Sequence, residues 1–300
     1  IMDKRLWIQI KKNKHCYLWL APFFILFALF YVYPSIYGFL ISLRNYDGIG
    51  KITDATFVGL QNYAKLFHDK KFWSSLRNTF ALWAYIVPAR TFLALVLAAL
   101  LNSKKILGKK VYSTVVLIPY ITAVTVVAII FRIMMTTEGG IFNNLLNIIG
   151  IPNIEWLSST SMSKISVAIM NIWRMVGYFS LVLLSGMQKI PTSVYEAAKI
   201  DGANSWKVFF KITLPLMIPE IFFVALMSTI WIFQNVGDVM VLTQGGPIGS
   251  STTLVYYMYM NAFEYSKLGY ASAITYVLFL LLMLISGVVV KSYYTKAEEM

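Results

Sequence analysis

Pro191-Thr-Ser-Val-Tyr-Glu196-Ala-Ala-Lys-Ile-Asp201-Gly-Ala-Asn-Ser-Trp-Lys-Val-Phe-Phe-Lys-Ile-Thr-Leu-Pro215 is a polar stretch deep inside an apolar chain. Its spacing predicts two short helices joined by a turn. Ser193 and Glu196 have the S-x-x-E spacing of a capping box, so a helix is expected to start just after Ser193. Asp201-Gly202 ends it, because glycine reaches positive φ without steric cost. Asn204 or Ser205 is suited to cap a second helix, and Pro215 to stop it or to open the next segment. On both sides lie apolar stretches long enough to cross a bilayer. A helix pair between two spans is a candidate docking element, and the rest of the chain decides what docks there.

The 300 residues are 58% hydrophobic and 13% charged, against about 45–50% and about 25% in an average soluble domain. That excess of apolar residues exceeds what one soluble core needs, so an all-α integral membrane protein is expected. The net charge of +13 falls in patches beside apolar stretches, which points to a topology signal rather than to nucleic-acid binding. A single cysteine, Cys16, leaves no internal disulfide or multi-Cys metal site. Two histidines, His15 and His68, argue against a histidine-based metal site. The chain opens on Ile1, which suggests a start slightly inside the natural one.

Outward from the polar stretch, six spans are expected at about 17–43, 78–101, 111–134, 164–187, 215–236 and 269–291. Pro34 should kink the first, and Pro119 lies in the third. The first is too long for a signal-peptide core and is read as a span. Residues 3–15, with Lys4, Arg5, Lys11, Lys12 and Lys14, read as a basic inside tail or, less simply, as an amphipathic surface helix. Residues 44–77 read as an outer loop turning at Asp47-Gly48, with Phe72 and Trp73 as interface aromatics. Lys104, Lys105, Lys109 and Lys110 mark an inside loop. In the outer loop 135–163, Ile141–Ile149 has helical periodicity and is suited to lie flat on the membrane surface. A second outer loop, 237–268, turns at Gly245-Gly246-Pro247. Both termini, the 102–110 loop and 189–214 share one side. That side holds more than half of the 26 lysines and arginines, so it is expected to be cytoplasmic. The whole chain reads as one membrane domain.

Catalytic and nucleotide motifs are missing. There is no G-x-x-x-x-G-K-[ST], no H-E-x-x-H and no G-x-S-x-G. No metal or cofactor is expected on the chain itself, and energy for directional work would have to come from a partner.

Residues 196–219 resemble the EAA signature of membrane subunits of bacterial ABC importers. Glu196, Ala197, Ala198, Asp201, Gly202, Ala203, Ile212, Leu214, Pro215 and Pro219 carry it. Asn78-Thr79, Val87-Pro88, Leu101-Asn102, Ile118-Pro119, Trp173-Arg174 with Gly177, Gln188-Lys-Ile-Pro191, Thr243-Gln-Gly-Gly-Pro247, Thr252-Thr-Leu-Val-Tyr-Tyr, Ala262-Phe263 and Gly269-Tyr-Ala-Ser-Ala273 resemble the carbohydrate branch, in particular its compact maltose and glycerol-3-phosphate type permeases. The resemblance implies a six-span type I importer fold with a cytoplasmic coupling helix in a bacterial inner membrane. It implies a second homologous permease, two ATPases that hold ATP and Mg, and an extracytoplasmic binding protein delivering a carbohydrate, more simply an oligosaccharide than glycerol-3-phosphate or an acidic saccharide. Glu196, Ala197, Ala198, Asp201, Gly202 and Ala203 would contact or shape the ATPase-docking element. For Glu196, capping its own helix and gripping the partner both stay open.

Arg90 and Arg174 fall near the middle of expected spans. A charge there costs at least about 2.5–3.5 kcal/mol on insertion scales, so each should face protein or water. They either line a translocation path or form interhelical pairs. Trp173, Tyr178, Trp231, Gln234, Asn235 and Asp238 add an aromatic-plus-amide set suited to sugars, or to helix–helix contact. A secondary transporter would more naturally show inverted repeats or paired intramembrane acids, and neither is evident.

Overall fold

The structure is a computed structural model that describes residues 14–103 and 107–298. The basic residues Lys4, Arg5, Lys11 and Lys12 of the tail, and Lys104 and Lys105 of the inside loop, lie outside the described residues. The chain divides into two compact units. One runs to His68 and includes Asn261–Tyr276; the other is Asp69–Met260 with the chain from Val277 onward.

In the first unit, α1 (Lys14–Phe27) passes through a π-helical turn (Ala28–Val32) into α2 (Tyr33–Ser42). Pro34 is the second residue of α2. Proline cannot donate to the helical ladder, and the wider π turn directly before it absorbs the mismatch without ending the span. A two-stranded ribbon follows, β1 (Arg44–Asn45) antiparallel to β2 (Thr56–Phe57), then α3 (Gln61–His68). Asn62 fastens α3 to the end of α2 by donating to the carbonyls of Ser42 and Arg44, both at 2.9 Å. Gly269 lets the backbone at Arg44 approach: a Cβ there would lie 2.1 Å from the Arg44 carbonyl oxygen.

The second unit opens with α4 (Lys70–Asn102), which starts eight residues before the expected span. Asp69 is the reason. Its carboxylate accepts from the Lys71 N–H at 2.8 Å and caps the helix. Phe72 and Trp73 are therefore not in a loop; they sit in the first turn of α4, with Phe72 buried and Trp73 half exposed.

The expected third span is broken. α5 (Lys109–Ile121) and α6 (Val124–Met134) meet at 90°. Thirteen residues rise about 20 Å, short of the roughly 30 Å hydrocarbon core. After α7 (Ile141–Ile148) comes α8 (Met162–Lys189), a single helix long and apolar enough to span. Gly177 of α8 packs directly on the α5 backbone; a Cβ there would lie 1.7 Å from the Val116 carbonyl oxygen. Small residues at such crossings let membrane helices approach closely.

The polar stretch forms α9 (Thr192–Ile200) and α10 (Ser205–Val208), which continues through a π turn (Phe209–Thr213) into α11 (Leu214–Leu216). The chain then bends by 63° into α12 (Ile218–Gln234). Pro215 does not stop the second helix; it sits in the first turn of the next segment, α11. The bend falls at Met217, and Pro219 occupies the first turn of α12, where its missing N–H costs nothing.

The expected outer loop 237–268 is also corrected. It contains α13 (Gly237–Leu242), a turn with a cis Gly246–Pro247 bond, α14 (Leu254–Tyr259) and a π turn (Met260–Glu264), and α15 (Leu268–Glu298) follows. Residues 251–257 are buried. Asn78 donates to the carbonyls of Gly249 (3.0 Å) and Thr252 (3.1 Å), and Thr79 accepts from the Leu254 N–H at 2.9 Å. Side chains of α4 thus satisfy three backbone groups of this segment.

Ala94, Ala98 and Leu101 of α4, Met175, Phe179, Leu183 and Met187 of α8, and Met217 and Val224 beside or within α12 form the core of this unit. Among the described residues four helices are long and apolar enough to cross a membrane, and up to six spans result if each bent pair counts as one.

Candidate functional site

Helical spacing sets up one polar face on α8. Asn171, Arg174, Met175 and Tyr178 follow at i, i+3, i+4 and i+7. Arg90 reaches this face from the middle of α4. Its Nη1 donates to Asn171 Oδ1 at 2.8 Å, its Nη2 to the Ser228 carbonyl of α12 at 3.2 Å, and its guanidinium lies 4.8 Å from the centre of the Phe179 ring.

Asp238 closes the arrangement from the first turn of α13. Its carboxylate accepts from the amides of Asn171 and Asn235 and from Arg174 Nη2 at 3.3 Å. Its own N–H donates to Asn235 Oδ1 at 3.2 Å, which holds the turn between α12 and α13. Asn171 is the relay: one end of its amide accepts from Arg90 and the other donates to Asp238. Two guanidiniums share one carboxylate. Arg174 contacts the carboxylate directly, whereas the direct contacts of Arg90 are dipoles and a ring face; the Nε atoms of Arg90 and Arg174 are buried without partners.

Above this network lies a cavity of about 290 Å³. Arg90, Asn171, Arg174, Gln234 and Asn235 make its polar lining, and Tyr120 and Trp231 its aromatic wall. Tyr178 stacks on Tyr120 (4.5 Å between centroids) and packs on Trp231 (5.4 Å). The structure therefore brings together Arg90, Arg174, Tyr178, Trp231, Gln234, Asn235 and Asp238. It separates Trp173, which is half exposed and packs on Phe131 of α6. One residue away from Arg174, its side chain points about 100° around the helix. Sequence reading missed Asn171 and Tyr120. Asn171 carried a signal, three residues before Arg174; Tyr120 comes from a distant span and carried none.

At the other candidate element, Glu196 and Ala197 of α9 are exposed and Ala198 is buried. The expected capping box is absent. Pro191 occupies the N-cap position of α9, and Ser193 lies inside the helix. A helix that starts at Thr192 leaves Ser193 and Glu196 on its outer turns instead of spanning its entrance. Among the described residues the Glu196 carboxylate makes no hydrogen bond or ion pair. The far end forms as expected: Gly202 has φ +72°, the Ala203 N–H donates to the Ala198 carbonyl at 2.9 Å and the Gly202 N–H to the Lys199 carbonyl at 3.1 Å. Asp201 precedes this turn as the helix C-cap. Asn204 caps α10 by accepting from the Lys207 N–H at 2.9 Å. Ile200, Trp206 and Phe210 stand exposed, the two rings stacked at 5.8 Å. No group of three or more metal-ligating side chains occurs among the described residues.

Residues 90–296 match the family described as binding-protein-dependent transport system inner membrane component. The lactose transport system permease protein LacF of Rhizobium radiobacter is 34% identical over 90% of this chain and 91% of its own length. The sulfoquinovosyl glycerol transport system permease protein SmoG of Agrobacterium fabrum is 33% identical over 97% and 94%. Among solved structures, a bacterial ABC transporter involved in the import of the acidic polysaccharide alginate has a similar fold. Its TM-score is 0.81 at 23% identity, with 96% of this chain and 98% of that chain covered.

Proposed function

The chain belongs to the binding-protein-dependent transport system inner membrane component family, and from that premise we propose that it forms half of the translocation path of an ATP-driven saccharide importer. The observation that carries this reading is the cavity between α5, α8 and α12. It joins an aromatic wall, Tyr120 and Trp231, to amides and guanidiniums. Sugars are held by that pairing of an apolar ring face with directional donors and acceptors. The similarity to the lactose permease along nearly the whole chain supports the same substrate class.

In this reading the partners are a second permease, two cytoplasmic ATPases and an extracytoplasmic binding protein. Both termini and α9–α10 face the cytoplasm. ATP and Mg²⁺ belong to the ATPases; this chain supplies the docking element, with Glu196 and the exposed Ala197 at the contact and Asp201-Gly202-Ala203 shaping its turn. ATP binding draws the two docked elements together, and the spans exchange between inward-open and outward-open packings. The exchange is driven only if the ATP-bound partner favours one packing.

One observation favours an acidic saccharide over a neutral one. The network holds two guanidiniums and one carboxylate, so a net positive charge borders the cavity. An anionic group on the substrate would offset it.

The test is uptake by the reconstituted complex. Trp231→Ala is expected to lower saccharide uptake while the ATPases stay bound. Normal uptake by that variant would remove the cavity from the path.

A further inference from the structure

We propose that α7 is a membrane-surface helix whose aliphatic stripe is covered by bilayer lipid, not by another protein chain. The stretch from Gly139 to Ile154 contains no charged residue. Its helical part divides into three faces. Phe142, Asn143 and Leu146 turn toward the protein. Phe142 packs edge-on against Phe131 (6.0 Å) and Trp156 (5.9 Å). Asn143 is the lock: it donates to the carbonyls of Thr137 (2.9 Å) and Ile154 (3.0 Å) and accepts from the Ile154 N–H (3.1 Å) and Trp156 Nε1 (2.9 Å). With every donor and acceptor of its amide engaged, Asn143 fixes the rotation of the helix.

That rotation turns a second face outward. Ile141, Leu145 and Ile148, with Ile149 at the helix end, recur at i, i+4, i+7 and i+8 and are all exposed, Ile148 at 78%. A stripe at this spacing normally faces the core; here the core side is already occupied. Asn144 and Asn147 form the third face, beside the stripe, bonded to Gly139 and Asn153. An aliphatic face beside an amide face suits the boundary between acyl chains and headgroups.

Lipid fits better than a protein partner for two reasons. Protein interfaces concentrate Tyr, Trp and Arg at their energetic centres, and this stripe holds only Ile and Leu. It also continues a second apolar surface of the same kind: α6, packed against α7 through Phe131, exposes the aliphatic side chains of Val126, Ile129, Ile130 and Ile133.

The experiment uses the full complex in phospholipid vesicles. In a Cys16→Ser background, Leu145→Cys and Ile148→Cys are compared with Asn144→Cys and Asn147→Cys, each carrying a nitroxide. Collisions with oxygen are expected to exceed those with a water-soluble nickel chelate at 145 and 148, with the order reversed at 144 and 147. Two results would overturn the proposal: equal exposure of all four sites to the chelate, or labels at 145 and 148 that are immobilised and reached by neither reagent, which would mean a protein cover. Cross-linking from 148 to a partner chain would overturn it as well.

Discussion

Asp238 accepts from Arg174 Nη2 at 3.3 Å, and this pair ties the first turn of α13 to the middle of α8. The Asp238 side chain is 2% exposed and the Arg174 side chain 15%. Arg174 is therefore engaged within the protein, and Arg90 is engaged with it through Asn171. Interhelical pairing and lining of the cavity are properties of the same side chains.

Asp238→Asn should destabilise the protein strongly. It leaves two guanidiniums without a carboxylate, and breaking a buried pair costs about 3–5 kcal/mol. The check is the thermal midpoint of the purified protein in detergent. Combining it with Arg174→Gln should recover part of the loss, because neighbouring effects do not add. An unchanged midpoint for Asp238→Asn would mean that the network does not hold α13.

Gly177→Ala should weaken the α5–α8 crossing. The new methyl would meet the Val116 carbonyl oxygen at 1.7 Å, a backbone atom that cannot rotate away. Overpacking of this kind costs about 1–3 kcal/mol or more. Gly287→Ala is the control, since nothing lies within 4 Å of its added Cβ. Size-exclusion traces after a heat step should separate the two.

Gly202→Ala places a side chain at φ +72°, where no neighbour obstructs it. The effect is then backbone strain alone, about 1–2 kcal/mol. ATPase association is expected to weaken with Ala and more with Asp, and to be better kept with Asn, which tolerates left-handed backbone. Pull-down of the ATPases measures it, and equal retention by all variants would end the role of this turn.

Glu196→Gln should leave thermal stability unchanged, because the carboxylate has no internal partner to lose. Under the coupling reading it lowers ATP-driven uptake. A drop in the melting midpoint would contradict the first half, and normal uptake the second.

Asn78→Ala should loosen the segment from Gly249 to Leu254. It frees the buried Thr252 carbonyl, worth about 1–3 kcal/mol when left unsatisfied, and the more exposed carbonyl of Gly249. Amide hydrogen exchange across 249–254 is expected to accelerate, while exchange in α8 stays slow.

What could be read directly was local. A glycine after Asp201 ends a helix wherever the chain goes, and Asn204 caps the next one through a residue three places on. The apolar stretches are long enough to span for the same reason: rise per residue and hydrophobicity are properties of the segment itself. Even there, the capping box failed, because Pro191 started the helix earlier than Ser193 could. Likewise Asp69, read as part of a loop, moved the start of α4 forward.

By itself, then, the sequence determined a helical membrane chain, its approximate spans, the turn at Gly202 and the signature that places the chain in its family. Only the tertiary structure decided where the spans break and what the intramembrane charges touch. Asn171 and Asp238 are 67 residues apart, and Asn78 and Thr252 are 174 apart. Periodicity reports which face of a helix is apolar, but not which helix it meets. A buried guanidinium must find partners, and which ones it finds depends on the packing that brings α4, α8, α12 and α13 together.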